Sequence, residues 1–310
     1  MFLLQTENTW IKSAFYSTFV NQMDEKPSTI MLFFKLVRYP NLLIMAVTQV
    51  FAAFCLSIEP FSPFTHAGFI LTLLATLLIA AGGYIINDIF DAAADSVNKP
   101  DKTFITPANR NFYAQVYYGL SVVGILLGLA ANVFVGVICA AMAVLLYLYS
   151  YKLKKTVLLG NIAVAFMSAV TPGILIYVLP NPSRSFIVLY AGFAFITTLV
   201  REAVKDIEDE EGDRTAGYTT LPVVYGEAIA KKVTSIMAAA QILLLLVFAI
   251  WCLVSLRLWA FYYLVALVAI PSVGLGLLIF WAKEKDHYSQ ASLLCKLIMI
   301  TGIASMYLVN

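Results

Sequence analysis

The chain has 310 residues, of which 61% are hydrophobic and 12% charged. A soluble domain carries about a quarter of its residues as charge, so the composition excludes an ordinary water-soluble globule and points to lipid as the solvent. The net charge of +2 says nothing about nucleic acid, and the distribution of charge matters more.

Residues 1–30 are polar and mixed, without periodicity, and are read as an interfacial or disordered N-terminal segment. Their opening, MFLLQTENTWIKSAF, has no basic stretch ahead of an apolar core, so no cleaved signal peptide is expected. Residues 31–310 form a single domain on this reading. A bilayer core of about 30 Å takes roughly 20 apolar residues as helix. Runs of that kind predict spans near 42–58, 68–87, 115–134, 136–150, 158–180, 186–205, 234–255, 258–281 and 290–308. The third and fourth are divided by a tight turn expected around Gly136. The fold class is therefore all-α, a polytopic bundle of about nine transmembrane helices. Cys55, Cys139, Cys252 and Cys295 lie far apart in apolar runs and read as small buried hydrophobes, not metal ligands. His66 and His287 stand alone beside apolar segments and read as loop residues.

Seventeen of the 20 basic residues fall on one side of this topology. Arg184 and Arg257 fall opposite, and Lys296 lies within the last span. The basic side is expected to be cytoplasmic, with the N-terminus inside. Seventeen of the 18 acids share that side, which the topology rule does not require. The bacterial inner membrane is the expected location, with the site on its cytoplasmic face.

The acids are concentrated in two clusters. NDIFDAAAD at the end of the second span holds Asn87, Asp88, Asp91 and Asp95; KDIEDEEGD at the end of the sixth holds Lys205, Asp206, Asp209 and Asp213. Both read D-x2-D-x3-D, each aspartate of the second standing 118 residues after its counterpart, a sign of divergent internal duplication. At about 100° per residue, positions i, i+3 and i+7 share one helix face. Three carboxylates on a face repel one another unless a cation sits among them. Their hard oxygens suit Mg²⁺, which is held by one or two carboxylates plus substrate phosphates. Two such faces meeting across a cavity suit a diphosphate, and all six aspartates are read as metal-binding and catalytic. Solvated loop acids are the bland alternative, and two runs of identical spacing after apolar spans weigh against it.

Cations and amides on the same side are candidate partners for phosphate oxygens: Lys205 and Lys102 flanking the clusters, Arg38 and Asn41 in RYPN, Asn161, and Lys152 from the group Lys152, Lys154 and Lys155. Lysines in short loops also fix topology, and Asn87 and Asn161 also suit helix caps. Tyr84, Tyr147 and Tyr149 are the aromatic candidates near the site. Most of the remaining aromatics are read as packing and interfacial belts.

NDIFDAAADSVNKPDK at 87–102, KDIEDEEGDRTAGYTTLP at 205–222, and LYSYKLKKT at 148–156 resemble the motifs of the UbiA superfamily of intramembrane prenyltransferases. The resemblance runs from about Arg38 to the end of the chain. It implies that Asn87 and the six aspartates bind Mg²⁺–diphosphate and that Lys205 meets the phosphate. Lys102 stands where the family often has arginine, and TFITP at 103–107 departs from the family's loop. The second motif is most similar to the branch that alkylates geranylgeranylglyceryl phosphate or homogentisate.

The activity expected is Mg²⁺-dependent transfer of a prenyl group from a polyprenyl diphosphate to a lipophilic acceptor. That acceptor is geranylgeranylglyceryl phosphate or, alternatively, an aromatic quinone precursor. Membrane lipid is the surrounding partner, and neither nucleic acid nor an obligate protein partner is expected. A divalent-cation transporter is the competing class. Transporters place ionisable groups near the bilayer midplane, often at broken helices, whereas these clusters lie at span ends. An inactive membrane scaffold would leave the repeated D-x2-D-x3-D without a purpose.

Overall fold

The computed structural model describes the backbone of residues 29–98 and 105–309 and the side chains of residues 32–92 and 105–309. The expectations for residues 1–28, for Lys102 and for the Asp95 side chain lie outside the described residues. A short α1 (Thr29–Leu36) leads into α2 (Tyr39–Leu56). Then come α3 (Ala67–Asn98), α4 (Arg110–Ala131), α5 (Val133–Tyr151), α6 (Leu159–Gly173) and α7 (Arg184–Glu208). Two short helices, α8 (Glu210–Thr215) and α9 (Leu221–Tyr225), precede α10 (Glu227–Val254). Next are α11 (Leu258–Leu264) and α12 (Ile270–Trp281), joined by a π-turn at Val265–Ala269, and finally α13 (Lys285–Ala304) and α14 (Met306–Val309). Among the described residues, nine helical stretches are long and apolar enough to cross a bilayer. The protein is an integral, multi-pass membrane protein.

Hydrocarbon offers no hydrogen-bond partner, so every backbone group must be satisfied inside the chain. Two prolines test that rule. Pro271 has no N–H to give to the carbonyl of Leu267, four residues back. The chain widens there into the π-turn, and Thr301 Oγ1 from α13 donates to that carbonyl at 2.9 Å. Pro172 lies near the end of α6, where the helix tightens into a 3₁₀ turn over Ile174–Tyr177. The amide of the fully buried Gln49 in α2 donates to the Thr171 carbonyl at 3.4 Å and to Thr76 Oγ1 of α3 at 3.1 Å. This polar knot joins the first, second and fifth spans.

The break between the third and fourth spans is not at Gly136, as expected, but four residues earlier. Asn132 takes an extended backbone and its side chain accepts from the Phe134 N–H, capping α5. Gly136 lies inside α5, where its missing Cβ lets Leu129 approach: a Cβ there would meet the Leu129 backbone nitrogen at 2.8 Å.

Two spans lie deeper in the bundle than the rest. The membrane window of α3 is 56% buried and that of α7 50%, against 22–39% for the others. α4 and α5 pack on α3; α6, α10 and α13 pack on α7. The helices that carry the acidic clusters are thus the two the others hold in place.

Candidate active site

Asp88, Asp91, Asp206 and Asp213 sit on helix, and Asp209 sits in the turn between α7 and α8. α3 runs on unbroken through Asp88 and Asp91, and its backbone carries Asp95 as well. Asp88 and Asp91 are each met by a cation. Arg38 Nη2 donates to Asp88 Oδ1 at 3.0 Å, and its guanidinium lies 5.0 Å from the centre of the Tyr84 ring. Arg38 has φ 52° and ψ 54°, a left-handed conformation that costs a non-glycine residue about 1–2 kcal/mol. The turn places Pro40 at the start of α2 and directs the Arg38 side chain onto α3; strain of this kind gathers at functional sites. Lys154 Nζ pairs with Asp91 Oδ1 and donates to Asn87 Oδ1 at 3.1 Å. Asn87 Nδ2 in turn donates to Asp91 Oδ2 at 2.9 Å.

Lys154 comes from the turn after α5, a 3₁₀ helix over Leu153–Lys155. Lys152, the candidate taken from the sequence, is exposed and has moved no closer to the acids than the helix cap, its N–H bonded to the Leu148 carbonyl at 2.9 Å. Composition cannot tell three lysines apart; the turn does. Gly160 is what lets the turn pack down, because a Cβ there would stand 2.9 Å from Lys154 Cα. That glycine, six residues after the lysine, was the one signal in the sequence.

The second end is built differently. α7 runs to Glu208, and the backbone distorts at Asp209 (φ −97°, ψ 5°) before α8 resumes. The N–H of Asp209 still reaches the Lys205 carbonyl, and that of Asp213 reaches the Asp209 carbonyl, both at 2.9 Å. The single straight face expected for Asp206, Asp209 and Asp213 is therefore bent at its middle member. Asp206 accepts from Asn161 Nδ2 of α6 at 2.8 Å. Asp209 is exposed and Asp213 half-buried. Burial pushes the Asp213 carboxyl above the ordinary aspartate range, Asp209 adds to the rise, and Thr220 and Lys205 offset it. Lys205 is itself exposed, and its charge acts on both Asp206 and Asp213.

Tyr149 of α5 lies within electrostatic range of charges from both ends, Glu202 and Asp206 of α7 and Asp91 and Arg38 on the α3 side. Glu202, one turn before Asp206, is a carboxylate the sequence reading passed over; it pairs with Arg201 inside the sixth span. Tyr147 turns outward, edge-on to Phe90 at 5.5 Å and stacked on Tyr151. Asn41 is exposed, and its N–H closes the Arg38 turn at 2.8 Å. Glu208 and Glu210 are tied elsewhere, to Ser289 and Arg214. An apolar cavity lined by Tyr190, Phe193 and Phe248 lies up α7 from Asp206 by about 20 Å along the axis, and takes no part in the acidic site.

Among the described residues no three acids, histidines or cysteines converge tightly enough to enclose a metal ion. Each end offers carboxylates one or two at a time. That is the donor set of a hard cation which completes its shell with phosphate oxygens and water rather than with a protein cage, so these residues fit Mg²⁺ held jointly with a diphosphate.

Residues 46–300 match the model of the UbiA prenyltransferase family, and the chain belongs to that family. It is 37% identical over 179 residues to the digeranylgeranylglyceryl phosphate synthase of Methanopyrus kandleri, covering 56% of this chain and 64% of that one. It is 35% identical over 220 residues to the synthase of the same name from Sulfolobus acidocaldarius, covering 67% and 76%. The chain thus spans just under two thirds of the first relative's length. In fold it resembles a solved structure described as giving insight into digeranylgeranylglyceryl phosphate synthase in membranes, with a TM-score of 0.71 and 22% identity over 90% of this chain and 98% of that one. It also resembles a UbiA homologue from Archaeoglobus fulgidus bound to DMAPP and Mg²⁺, with a TM-score of 0.60 and 15% identity over 88% and 98%.

Proposed function

We propose that residues 31–310 act as one membrane domain that transfers a geranylgeranyl group from its diphosphate to the hydroxyl of geranylgeranylglyceryl phosphate. The observation that carries this reading is the seating of Arg38 on Asp88 and of Lys154 on Asp91 at the first of two acidic helix ends. The names of the relatives support the acceptor. Their archaeal sources favour an archaeal cytoplasmic membrane over the bacterial inner membrane expected from the sequence. The site faces the cytoplasm, where the basic residues gather.

In the reaction the allylic C–O bond breaks, and its electron pair leaves with the diphosphate. The acceptor oxygen forms the new C–O bond and gives up its proton to the departing diphosphate. When bound, Mg²⁺ neutralises charge on the leaving diphosphate. Arg38 and Lys154 supply fixed positive charge at the first end, in a setting where such charge counts for more than in water. Lys205 does so at the second. Asn87 and Asn161 orient Asp91 and Asp206 by their amide hydrogen bonds. Tyr84 and Tyr149 bring aromatic faces to a site where allylic positive charge develops. The surrounding spans keep water from intercepting it.

The test is prenyl transfer by purified protein with geranylgeranyl diphosphate, Mg²⁺ and two acceptors, geranylgeranylglyceryl phosphate and homogentisate. Ether product formed from the glycerophosphate lipid, dependent on Mg²⁺ and absent in Asp91→Ala and Asp206→Ala, is the expected result. Product from homogentisate alone would move the chain to the aromatic branch. Aspartate-dependent Mg²⁺ flux through liposomes without transfer would replace the reading with transport.

A further inference from the structure

The lysine turn after α5 does more than deliver Lys154. Its last carbonyl, that of Lys155, accepts two hydrogen bonds from one residue 64 positions later. The Thr219 N–H donates at 2.9 Å and the Thr219 Oγ1 at 2.6 Å. The Lys155 ammonium lies 5.3 Å from the centre of the neighbouring Tyr218 ring. The chain at 218 is tied back to the second acidic end, because the Tyr218 N–H donates to the Asp213 carbonyl at 2.8 Å. The turn is itself rigid: the Lys155 N–H bonds the Lys152 carbonyl at 3.1 Å, and Thr156 Oγ1 bonds the Leu153 carbonyl at 2.7 Å.

A continuous path therefore runs from Asn87 and Asp91 through Lys154, along one residue of backbone to Lys155, across to Thr219 and Tyr218, and into Asp213. α3 and α7 belong to different halves of the bundle, and the segment 209–226 lies beyond the spans, where lipid does not hold it. A diphosphate gripped from both sides needs the two grips at a fixed separation, and misplacement by about 1 Å costs about a hundredfold in rate. A carbonyl with both lone pairs used by one residue is a stiff joint, since its acceptor capacity is full.

We propose that Thr219, seconded by Tyr218, is a positioning residue. It clamps the segment bearing Asp213 to the turn bearing Lys154 and so sets the span of the diphosphate site. Neither side chain touches the substrate in this scheme; they act through Lys154 and Asp213. The proposal rests on the prenyl-transfer reading for its kinetic consequence, but the clamp itself can be read without catalysis.

The experiment compares wild type with Thr219→Val, Thr219→Ser and the double variant Thr219→Val with Tyr218→Leu, all as full-length protein in lipid nanodiscs. Thr219→Val removes one hydrogen bond and keeps the shape. KM for geranylgeranyl diphosphate should rise about fivefold, the effect of one lost hydrogen bond. The double variant should exceed it, and Thr219→Ser should restore it. KM for the acceptor should stay as in wild type. Hydrogen exchange over residues 210–220 should quicken in Thr219→Val while α7 stays protected. A wild-type KM for the diphosphate in the double variant overturns the proposal, as does Thr219→Ser behaving like Thr219→Val, or a lowered melting temperature with unchanged KM. If wild type transfers no prenyl group to any acceptor, the functional reading fails by itself. Exchange over 210–220 then decides: quickening in Thr219→Val supports the clamp, and no change overturns it.

Discussion

At the end of α3, Asp88 and Asp91 each meet a full positive charge, and an asparagine amide closes the set. At the end of α7, Asp206 meets a neutral amide, Asp209 faces out, and Asp213 carries a burial penalty with Lys205 acting at a distance. The two ends have one spacing and opposite electrostatics. Near the membrane edge, where charge is poorly solvated, a paired carboxylate is settled and an unpaired one is not. On the proposed function, the first end is a grip assembled in advance by Arg38 and Lys154, and the second is the end that gains most from a divalent cation. The two motifs share one spacing while their surroundings differ.

The largest effects should come from the aspartates themselves. Asp91→Ala and Asp206→Ala should each lower kcat by about a thousandfold or more, the scale of losing a preorganised charge-stabilising group. If either retained a tenth of wild-type activity, the two-ended site would reduce to one. Lys154→Met comes next. It leaves Asp91 half-buried without its cation and should cost about a hundredfold in kcat/KM by the loss of a charged partner, whereas Lys152→Met should stay within about twofold, as exposed side chains do. Equal losses in a side-by-side assay would return the lysine assignment to the sequence-level choice. Arg38→Lys should raise KM for the prenyl diphosphate about tenfold, since it keeps charge but gives up the planar fork and its stacking on Tyr84.

The smallest effect separates the two ends by pH. Asp213 titrates above the ordinary aspartate range because it is half-buried near Asp209. For an acid raised in this way, the neutral form favours the fold. That contribution is present below the ordinary aspartate pKa and disappears as pH rises through the folded value. At pH 7.5 the ionised carboxyl therefore costs stability, and Asp213→Asn should raise the melting temperature of Mg²⁺-free protein slightly while lowering activity. At pH 4 the two proteins should melt alike. A lower melting temperature for Asp213→Asn at pH 7.5 would remove the contrast.

Hydropathy made the nine spans legible, because in lipid a spanning segment must be long and apolar whatever its neighbours. The helix ends were less so: charged residues at 88–98 and 202–208 lower local hydropathy, yet the backbone hydrogen bonds run on through them. The break at Asn132 was hidden because a glycine looked like the turn, while the cap was the asparagine whose side chain could replace a missing backbone partner. Spacing alone grouped Asp88 with Asp91, and Asp206 with Asp209 and Asp213, at two helix ends. Which lysine reaches them could not be read that way, since that depends on a 3₁₀ turn and on the room left by Gly160. The same holds for Thr219, whose partner is a backbone carbonyl and leaves no mark in side-chain chemistry.

The knot around Gln49 bears on how the protein enters its membrane. Helical spans are delivered to the bilayer in chain order, and an amide alone in hydrocarbon is costly. Gln49 finds Thr76 only 27 residues later, in the very next span, while its other acceptor, the Thr171 carbonyl, arrives 122 residues on. The hairpin of the first two spans is thus the earliest fragment able to shelter its own polar group. The fifth span brings the second acceptor, the Thr171 carbonyl, to an amide that Thr76 also holds.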